Sequence, residues 1–224
     1  MIYSFTNPPE NFGDRRIPLA TYQTVKNMGQ NFSTFTFTPS VKDVQERYGS
    51  GKNYADEEQE PDRFNLTGKE VDFIQSRDSF YMSTVGENGW PYMQFRGGPA
   101  GFFKVLGERT IGFADFSGNL QYISTGNMNA EKKAMLFLID YPTRQRLKIW
   151  ATSEVKDVDD APELASELVV PNYRAKVERV VLFTIEAYDW NCPQHITRRY
   201  SLEEIEAEMA AGNPSFQELG QSVT

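Results

Sequence analysis

Six segments of the chain place apolar and aromatic residues at strand spacing, with turn residues between them. The first two segments flank Glu87-Asn88-Gly89, and Asn-Gly is a strong signal for a tight hairpin. Aromatic and β-branched residues, which suit a pleated and half-buried surface, are frequent in all six segments. The pattern predicts six strands, at 79–85, 90–97, 109–115, 134–140, 146–155 and 180–188.

The lengths of the connections indicate how these strands pair. Parallel neighbours need a crossover of about a dozen residues or more, whereas antiparallel neighbours can be joined by a tight turn. Two of the five predicted connections, 86–89 and 141–145, are short enough for tight turns, so antiparallel pairing is expected. Six such strands around one core predict a mainly β fold, a six-stranded antiparallel barrel with peripheral helices. A nucleotide-binding α/β fold is disfavoured because no GxGxxG or GxxxxGK[ST] motif follows a strand.

Capping signals predict helices outside the strands. A helix start combines a side chain that accepts from the first free backbone N–H groups with a glutamate three positions later, or with proline in the first turn. The acidic stretch 159–169 also has a helical composition. The predicted starts are Thr38 with Pro39, Thr67 with Glu70, and Ser201 with Glu204.

These elements divide the chain into three parts. Residues 1–65 are predicted to be an N-terminal extension with one helix, and 66–200 a barrel domain. Residues 201–224 are predicted to form a C-terminal helix and tail. The acidic run 55–62 in the extension is expected to be a solvated linker.

Charge and cysteine content narrow the class of partner. The 224-residue chain has a formal net charge of −8 at pH 7, which argues against nucleic acid or an anionic membrane, since both require clustered Lys and Arg. One cysteine excludes an intrachain disulfide and suits a reducing compartment. The N-terminal residues lack the pattern of a signal peptide, and no apolar stretch approaches the ~20 residues that span a bilayer. The sequence therefore predicts a soluble, cytoplasmic protein.

The stretch DWNCPQHITRRY (189–200) contains the one cysteine and the one histidine of the chain, Cys192 and His195. A Cys–His nucleophile pair needs a third group to orient the imidazole, and the sequence identifies none. A zinc site would need two further carboxylates. The simpler interpretation is that Cys192 packs and His195 forms hydrogen bonds in a loop, so no metal site is predicted and no catalytic residue is assigned.

Three segments instead have the chemistry of a ligand site. In QFRGGPAGF (94–102) two adjacent glycines allow close approach to the backbone, and Arg96 offers a planar set of donors. Taken alone, this segment suits a glycine-rich turn with a surface arginine equally well. In ADFSGNLQ (114–121) Ser117, Gly118 and Asn119 suit either a phosphate or an ordinary turn. The neighbours of Cys192 add an aromatic face, amides and charge, which suit a carbonyl-rich heterocycle with an anionic tail.

Together, the stretches over 78–150, including RGGP and DFSGN, and the later WNCPQHI resemble the pyridoxamine 5'-phosphate oxidase-like FMN-binding split-barrel proteins. The resemblance extends over about 35–200. It implies a split barrel that forms a homodimer with FMN, or a related deazaflavin, at the subunit interface. The strand motif would contact the flavin ring, the loop after the next strand would bind the phosphate, and a C-terminal segment, often from the partner, would cover the ring.

The resemblance assigns cofactor-binding residues to each of these three segments. They are Gln94, Phe95, Arg96 and Gly97 on the strand, Asp115, Phe116, Ser117 and Asn119 in the loop, and Trp190, Asn191, Gln194 and Arg198 in the C-terminal segment.

Departures from the family pattern bear on activity. The strand reads QFRGG, and Gly118-Asn119 stands where the oxidase carries basic residues. The site therefore has fewer positive charges for the phosphate groups of FMN and of the substrate, which argues against pyridoxamine phosphate oxidation itself. The implied function is an FMN-dependent oxidoreductase acting on a small molecule, and the alternative is a non-catalytic flavin- or ligand-binding protein that serves as carrier, sensor or scavenger.

Overall fold

The computed structural model describes residues 32–54, 64–191 and 193–216. The predicted acidic linker at 55–62 and Cys192, which was expected to pack in a loop, lie outside the described residues. None of the helices in the described ranges combines the length and the apolar content that crossing a membrane requires.

Seven strands and six α-helices make up the described ranges, together with one turn of 3-10 helix at Gly51–Asn53. The strands are β1 Ser79–Val85, β2 Pro91–Gly97, β3 Lys104–Gly107, β4 Thr110–Phe116, β5 Lys133–Asp140, β6 Gln145–Asp157 and β7 Val177–Asn191. The helices are α1 Phe32–Thr36, α2 Pro39–Arg47, α3 Gly68–Gln75, α4 Ile123–Glu131, α5 Pro162–Leu168 and α6 Leu202–Ala210.

All seven strands belong to one sheet of order β2-β1-β5-β6-β7-β4-β3, and each neighbouring pair is antiparallel. The antiparallel prediction is confirmed, but the number of strands was one too low. The strand that was missed, β3, has only four residues, all of them half-buried, so it shows no alternation that a sequence pattern could reveal. The sheet is also not closed by hydrogen bonds, since β2 and β3 are its two edges.

The long strands β6 and β7 curl this open sheet. Their ladder shifts register between Trp150 and Ala151, and such a bulge increases the local twist of the strands. The curl brings β1 against β4, although three strands separate them in the sheet order. The rings of Phe80 on β1 and Phe113 on β4 meet edge to face, with centroids 5.6 Å apart.

A phenylalanine cluster fills the space inside the curled sheet. Phe103 is fully buried, and its ring stacks on Phe80 at 4.5 Å and meets Phe113 at 6.2 Å and Phe183 at 6.3 Å. Each such aromatic pair contributes about 0.5–1.5 kcal/mol beyond the burial of its surface. Because these residues come from β1, β4, β7 and the segment before β3, the cluster ties both halves of the sheet together.

The predicted helix starts are confirmed. Helix α2 begins after Thr38, and α3 and α6 begin with complete capping boxes at Thr67 and Ser201. Helix α5 lies within the acidic stretch 159–169. Helix α4 was not predicted, because it starts after Tyr122 in a left-handed conformation without a side-chain cap.

The α3 capping box also attaches this helix to the end of β7. Glu70 is 4% exposed, and its carboxylate accepts hydrogen bonds from the Thr67 backbone at 3.0 Å and from the Trp190 indole nitrogen at 2.7 Å. Burial alone would raise the pKa of Glu70, but the hydrogen bonds from Thr67 and Trp190 outweigh it and lower the pKa below its usual 4.5.

The packing of the aromatic cluster predicts that removal of its central ring strongly destabilises the fold. Phe103→Ala should lower the free energy of unfolding by about 3–5 kcal/mol, because it removes a fully buried ring and leaves a cavity. Urea denaturation measures this change. The control Val44→Ala, at an exposed position of α2, should change the value by no more than about 0.5 kcal/mol. Similar losses in both variants would contradict this description of the core.

The lowered pKa of Glu70 predicts an acid-dependent loss of stability. A carboxylate with a depressed folded-state pKa stabilises the fold above its unfolded pKa of about 4.5, and that contribution is lost as pH falls through the folded value. Glu70→Gln should therefore be less stable than wild type at pH 7 by about 1–3 kcal/mol, and the gap should narrow at acid pH. Urea denaturation at several pH values, with exposed Glu87→Gln as control, tests this. A gap that does not depend on pH would refute it.

Candidate functional site

A surface pocket lies between edge strand β2 and the connection from β4 to α4. Its wall consists of the even-numbered positions of β2, the end of β4, all of 118–125, and Arg179 on β7. Two of the three segments selected from the sequence, the RGGP strand and the DFSGN loop, therefore meet at one place.

The alternation of β2 decides which of its side chains reach the pocket. Tyr92, Gln94 and Arg96 line it, while Met93 and Phe95 point to the other face and are 66% and 57% exposed. The ring of Phe95 therefore does not line this pocket. Because successive residues of a strand face opposite sides, this division follows from the register of β2 on β1.

A buried carboxylate joins two guanidinium groups in the pocket wall. Asp115 is 3% exposed, and its Oδ1 accepts from Arg96 Nη1 at 3.1 Å. Its Oδ2 accepts from Arg179 Nε at 3.1 Å and Nη2 at 3.0 Å. Arg179 also pairs with Glu178 at 3.0 Å. Both arginines are thus held in fixed positions at the pocket.

The surroundings of Arg179 keep it firmly protonated. Burial alone would lower its pKa, but the hydrogen bond and charge attraction of Asp115, followed by those of Glu178, outweigh burial and raise the pKa. The ring of Tyr122 lies below this guanidinium, 4.9 Å from its carbon to the ring centroid. Such stacking on an aromatic face is a favourable arrangement for arginine.

The connection from β4 to α4 has an unusual backbone. Leu120 and Tyr122 have φ of 61° and 52°, and non-glycine residues in this region often mark functional sites. Asn119 Oδ1 accepts from the Gln121 backbone N–H at 3.1 Å, which closes a local turn. Ser124, buried at the start of α4, donates to Gln94 Oε1 at 2.9 Å and so joins the helix to β2.

The structure brings together part of the predicted cofactor-binding set. The members that line one pocket are Gln94, Arg96, Asp115, Phe116 and Asn119. Ser117 is exposed in the same connection, with its backbone N–H donating to Lys176 O at 2.8 Å, and Gly97 ends β2.

The predicted C-terminal residues lie elsewhere in the subunit. Trp190 follows Arg179 by eleven positions on β7, and it is not among the residues that line the pocket. Its ring packs on Phe73, with centroids 4.8 Å apart. Asn191 donates to Asp189 at 3.1 Å, and Gln194, His195 and Arg198 are exposed. Within one subunit Trp190 therefore does not line the pocket.

Arg179, Tyr122 and Ser124 were not predicted as site residues from the sequence. Arg179 stands at the start of the apolar run VVLF, where it reads as a charge flanking a strand. The relevant signal is its pairing with Asp115 directly across the β4–β7 ladder. That register depends on contacts about sixty residues apart, which no local pattern contains.

The donors in the pocket fit an anion or a carbonyl-rich ligand. Arg96 Nε is buried without a hydrogen-bond partner, although buried polar groups normally have one. The start of α4 adds the Ser124 and Thr125 hydroxyls to the wall. In the described part of the chain, no three His, Cys, Asp or Glu side chains are grouped so that they could hold a metal ion.

No family model matches this chain, and no curated protein matches it. Solved structures do match. A proposed pyridoxamine 5'-phosphate oxidase from Lactobacillus delbrueckii is 22% identical, with a TM-score of 0.44 over 56% of this chain and 93% of that chain. HupZ from Group A Streptococcus is 15% identical, with a TM-score of 0.46 over 60% of this chain and 99% of that chain.

A third match is an FMN-binding protein from Syntrophomonas wolfei, 11% identical, with a TM-score of 0.43 over 68% of this chain and 97% of that chain. The solved structures to which this chain is similar thus include pyridoxamine 5'-phosphate oxidase-like and FMN-binding proteins, the group that its sequence motifs resemble.

Proposed function

We propose that this chain is an FMN-binding flavoprotein of the pyridoxamine 5'-phosphate oxidase-like family, and that the β2 pocket holds the cofactor. The observation that carries the proposal is the meeting of the RGGP strand and the DFSGN connection around two fixed guanidinium groups. Arginine forks suit phosphate and carbonyl oxygens, and FMN has both.

The phosphate of FMN belongs at the Arg179 side of the pocket. Arg179, the Ser124 and Thr125 hydroxyls and the first turn of α4 are all potential donors there. The N-terminus of a helix favours negative charge because its first backbone N–H groups lack partners within the helix. The cation that the sequence lacked at Gly118-Asn119 is thus supplied from β7, on a neighbouring strand.

The isoalloxazine ring belongs along β2. This strand is an edge of the sheet, paired with β1 on one side only, so the backbone groups of its other side are available to a ligand. The pyrimidine part of a flavin has both N–H and C=O groups that can pair with such an edge. Gln94 and Arg96 add side-chain donors beside it. FMN, once bound, would supply the redox chemistry.

A second copy of the chain fits the outer face of the sheet. Phe95, Tyr81 and Phe137 form a cross-strand row on this face, with ring centroids 5.7 and 6.5 Å apart. Met93 and Trp90 extend the exposed apolar surface of β2 and its hairpin. Large exposed apolar patches mark interaction surfaces. In a homodimer, Trp190 and the exposed residues after it could approach the partner's pocket, although they do not line the pocket of their own subunit.

Turnover separates an oxidoreductase from a carrier, sensor or scavenger of the same family. We favour an oxidoreductase that acts on a small organic molecule. Rapid reduction of the bound flavin by NADH or NADPH would support the enzyme, and failure with both donors would support the binding protein.

The pocket predicts FMN binding that depends on Arg96. The purified protein should quench FMN fluorescence on titration, and Arg96→Ala should raise the Kd about tenfold because a charge-assisted contact is lost. The flavin potential should also fall, since a cation near the ring stabilises its anionic reduced form. The control Arg47→Ala, at an exposed position of α2, should change neither value. No FMN binding by wild type would refute the proposal, and an unchanged potential would remove Arg96 from its role at the ring.

The aromatic row predicts that Phe95→Asp prevents dimerisation. A carboxylate at that position would have to be desolvated in the interface without a partner, which is costly. Light scattering after size exclusion should give twice the chain mass for wild type and for the control Val44→Asp, an exposed apolar position on α2. It should give the monomer mass for Phe95→Asp. A monomeric wild type would contradict the proposed interface.

A further inference from the structure

Asp115 occupies the place that an anionic ligand would take between the two arginines of the pocket. Its carboxylate oxygens receive one N–H from Arg96 and two from Arg179, at 3.0–3.1 Å. The side chain is nearly inaccessible, and it lines the same pocket as both guanidinium groups. A phosphate approaching these donors would therefore meet a carboxylate already bound to them.

The charges around the pocket cancel. Arg96 and Arg179 are balanced by Asp115, which contacts both, and by Glu178, which contacts Arg179. A dianionic phosphate therefore gains directional hydrogen bonds here but little attraction from net charge, and it is repelled by the buried carboxylate.

We propose that Asp115 is an internal competitor that weakens phosphate binding at Arg179 and so keeps the ligand exchangeable. The inference rests on the proposed function for the identity of the ligand, but its chemistry concerns any phosphate monoester. Without ligand, Asp115 fixes both guanidinium groups. When a phosphate binds, it replaces some of the hydrogen bonds between Asp115 and these groups. The carboxylate thus stabilises the ligand-free fold and lowers the affinity for phosphate.

The sign of the effect distinguishes competition from simple positioning. Without the charge of Asp115, two partly buried guanidinium groups lose a shared counterion, which destabilises the ligand-free protein. A bound phosphate would replace that counterion, so ligand affinity should rise. If Asp115 only positioned the arginines, its removal would lower the affinity instead.

The variant Asp115→Asn tests this with FMN and inorganic phosphate as separate probes. Without ligand, the Tm of the variant should be lower than that of wild type, and its Kd for FMN should be about tenfold lower. Phosphate should raise the Tm of the variant more than chloride does at equal ionic strength. The matched control is Asp140→Asn, which removes another buried carboxylate paired with an arginine, Arg77, outside the pocket. It should lower the Tm and leave the Kd unchanged.

Unchanged or weaker binding by Asp115→Asn would overturn the inference. Should the variant fail to fold in chloride, recovery of the fold in phosphate at equal ionic strength would support competition, and failure in both salts would count against it. The two probes separate this inference from the proposed function. If wild type does not bind FMN, the proposed function is wrong, and the response to inorganic phosphate still decides the role of Asp115.

Discussion

The contact of Asp115 with Arg96 and Arg179 joins parts of the sheet that backbone hydrogen bonds do not connect. Arg96 is on edge strand β2, whereas Asp115 and Arg179 are on β4 and β7 in the other half of the sheet. The ion pair therefore bridges the open side of a curled but unclosed sheet. The wall of the pocket depends on this bridge, because it holds β2 opposite the connection between β4 and α4.

The phenylalanine cluster makes the bridge possible. Phe80, Phe103 and Phe113 pack the two halves of the sheet together from inside. Burial of these rings already brings the halves close to each other, so the ion pairs form between groups that are near one another. Buried ion pairs alone contribute little net stability because their desolvation opposes their attraction. Apolar packing thus stabilises the fold, and the ion pairs determine the chemistry of the pocket on the open side of the sheet.

Local signals predicted a large part of this arrangement. The Asn-Gly hairpin, the capping boxes at Thr67 and Ser201, and the RGGP and DFSGN segments each depend on a few consecutive residues. Strand β3 was missed because four residues are too few to show a period. Arg179 and the contact of Trp190 with Glu70 were missed because they depend on register and on packing between distant segments. Only the folded chain shows that Arg179 lines the pocket and that Trp190 does not.

We propose that the pocket recognises the phosphate of a flavin through Arg179. The most direct measurement compares FMN with riboflavin, which lacks the phosphate, in fluorescence titrations of wild type and Arg179→Ala. Wild type should bind FMN about tenfold more tightly than riboflavin, and this preference should disappear in the variant. Equal affinity of wild type for the two flavins would contradict it.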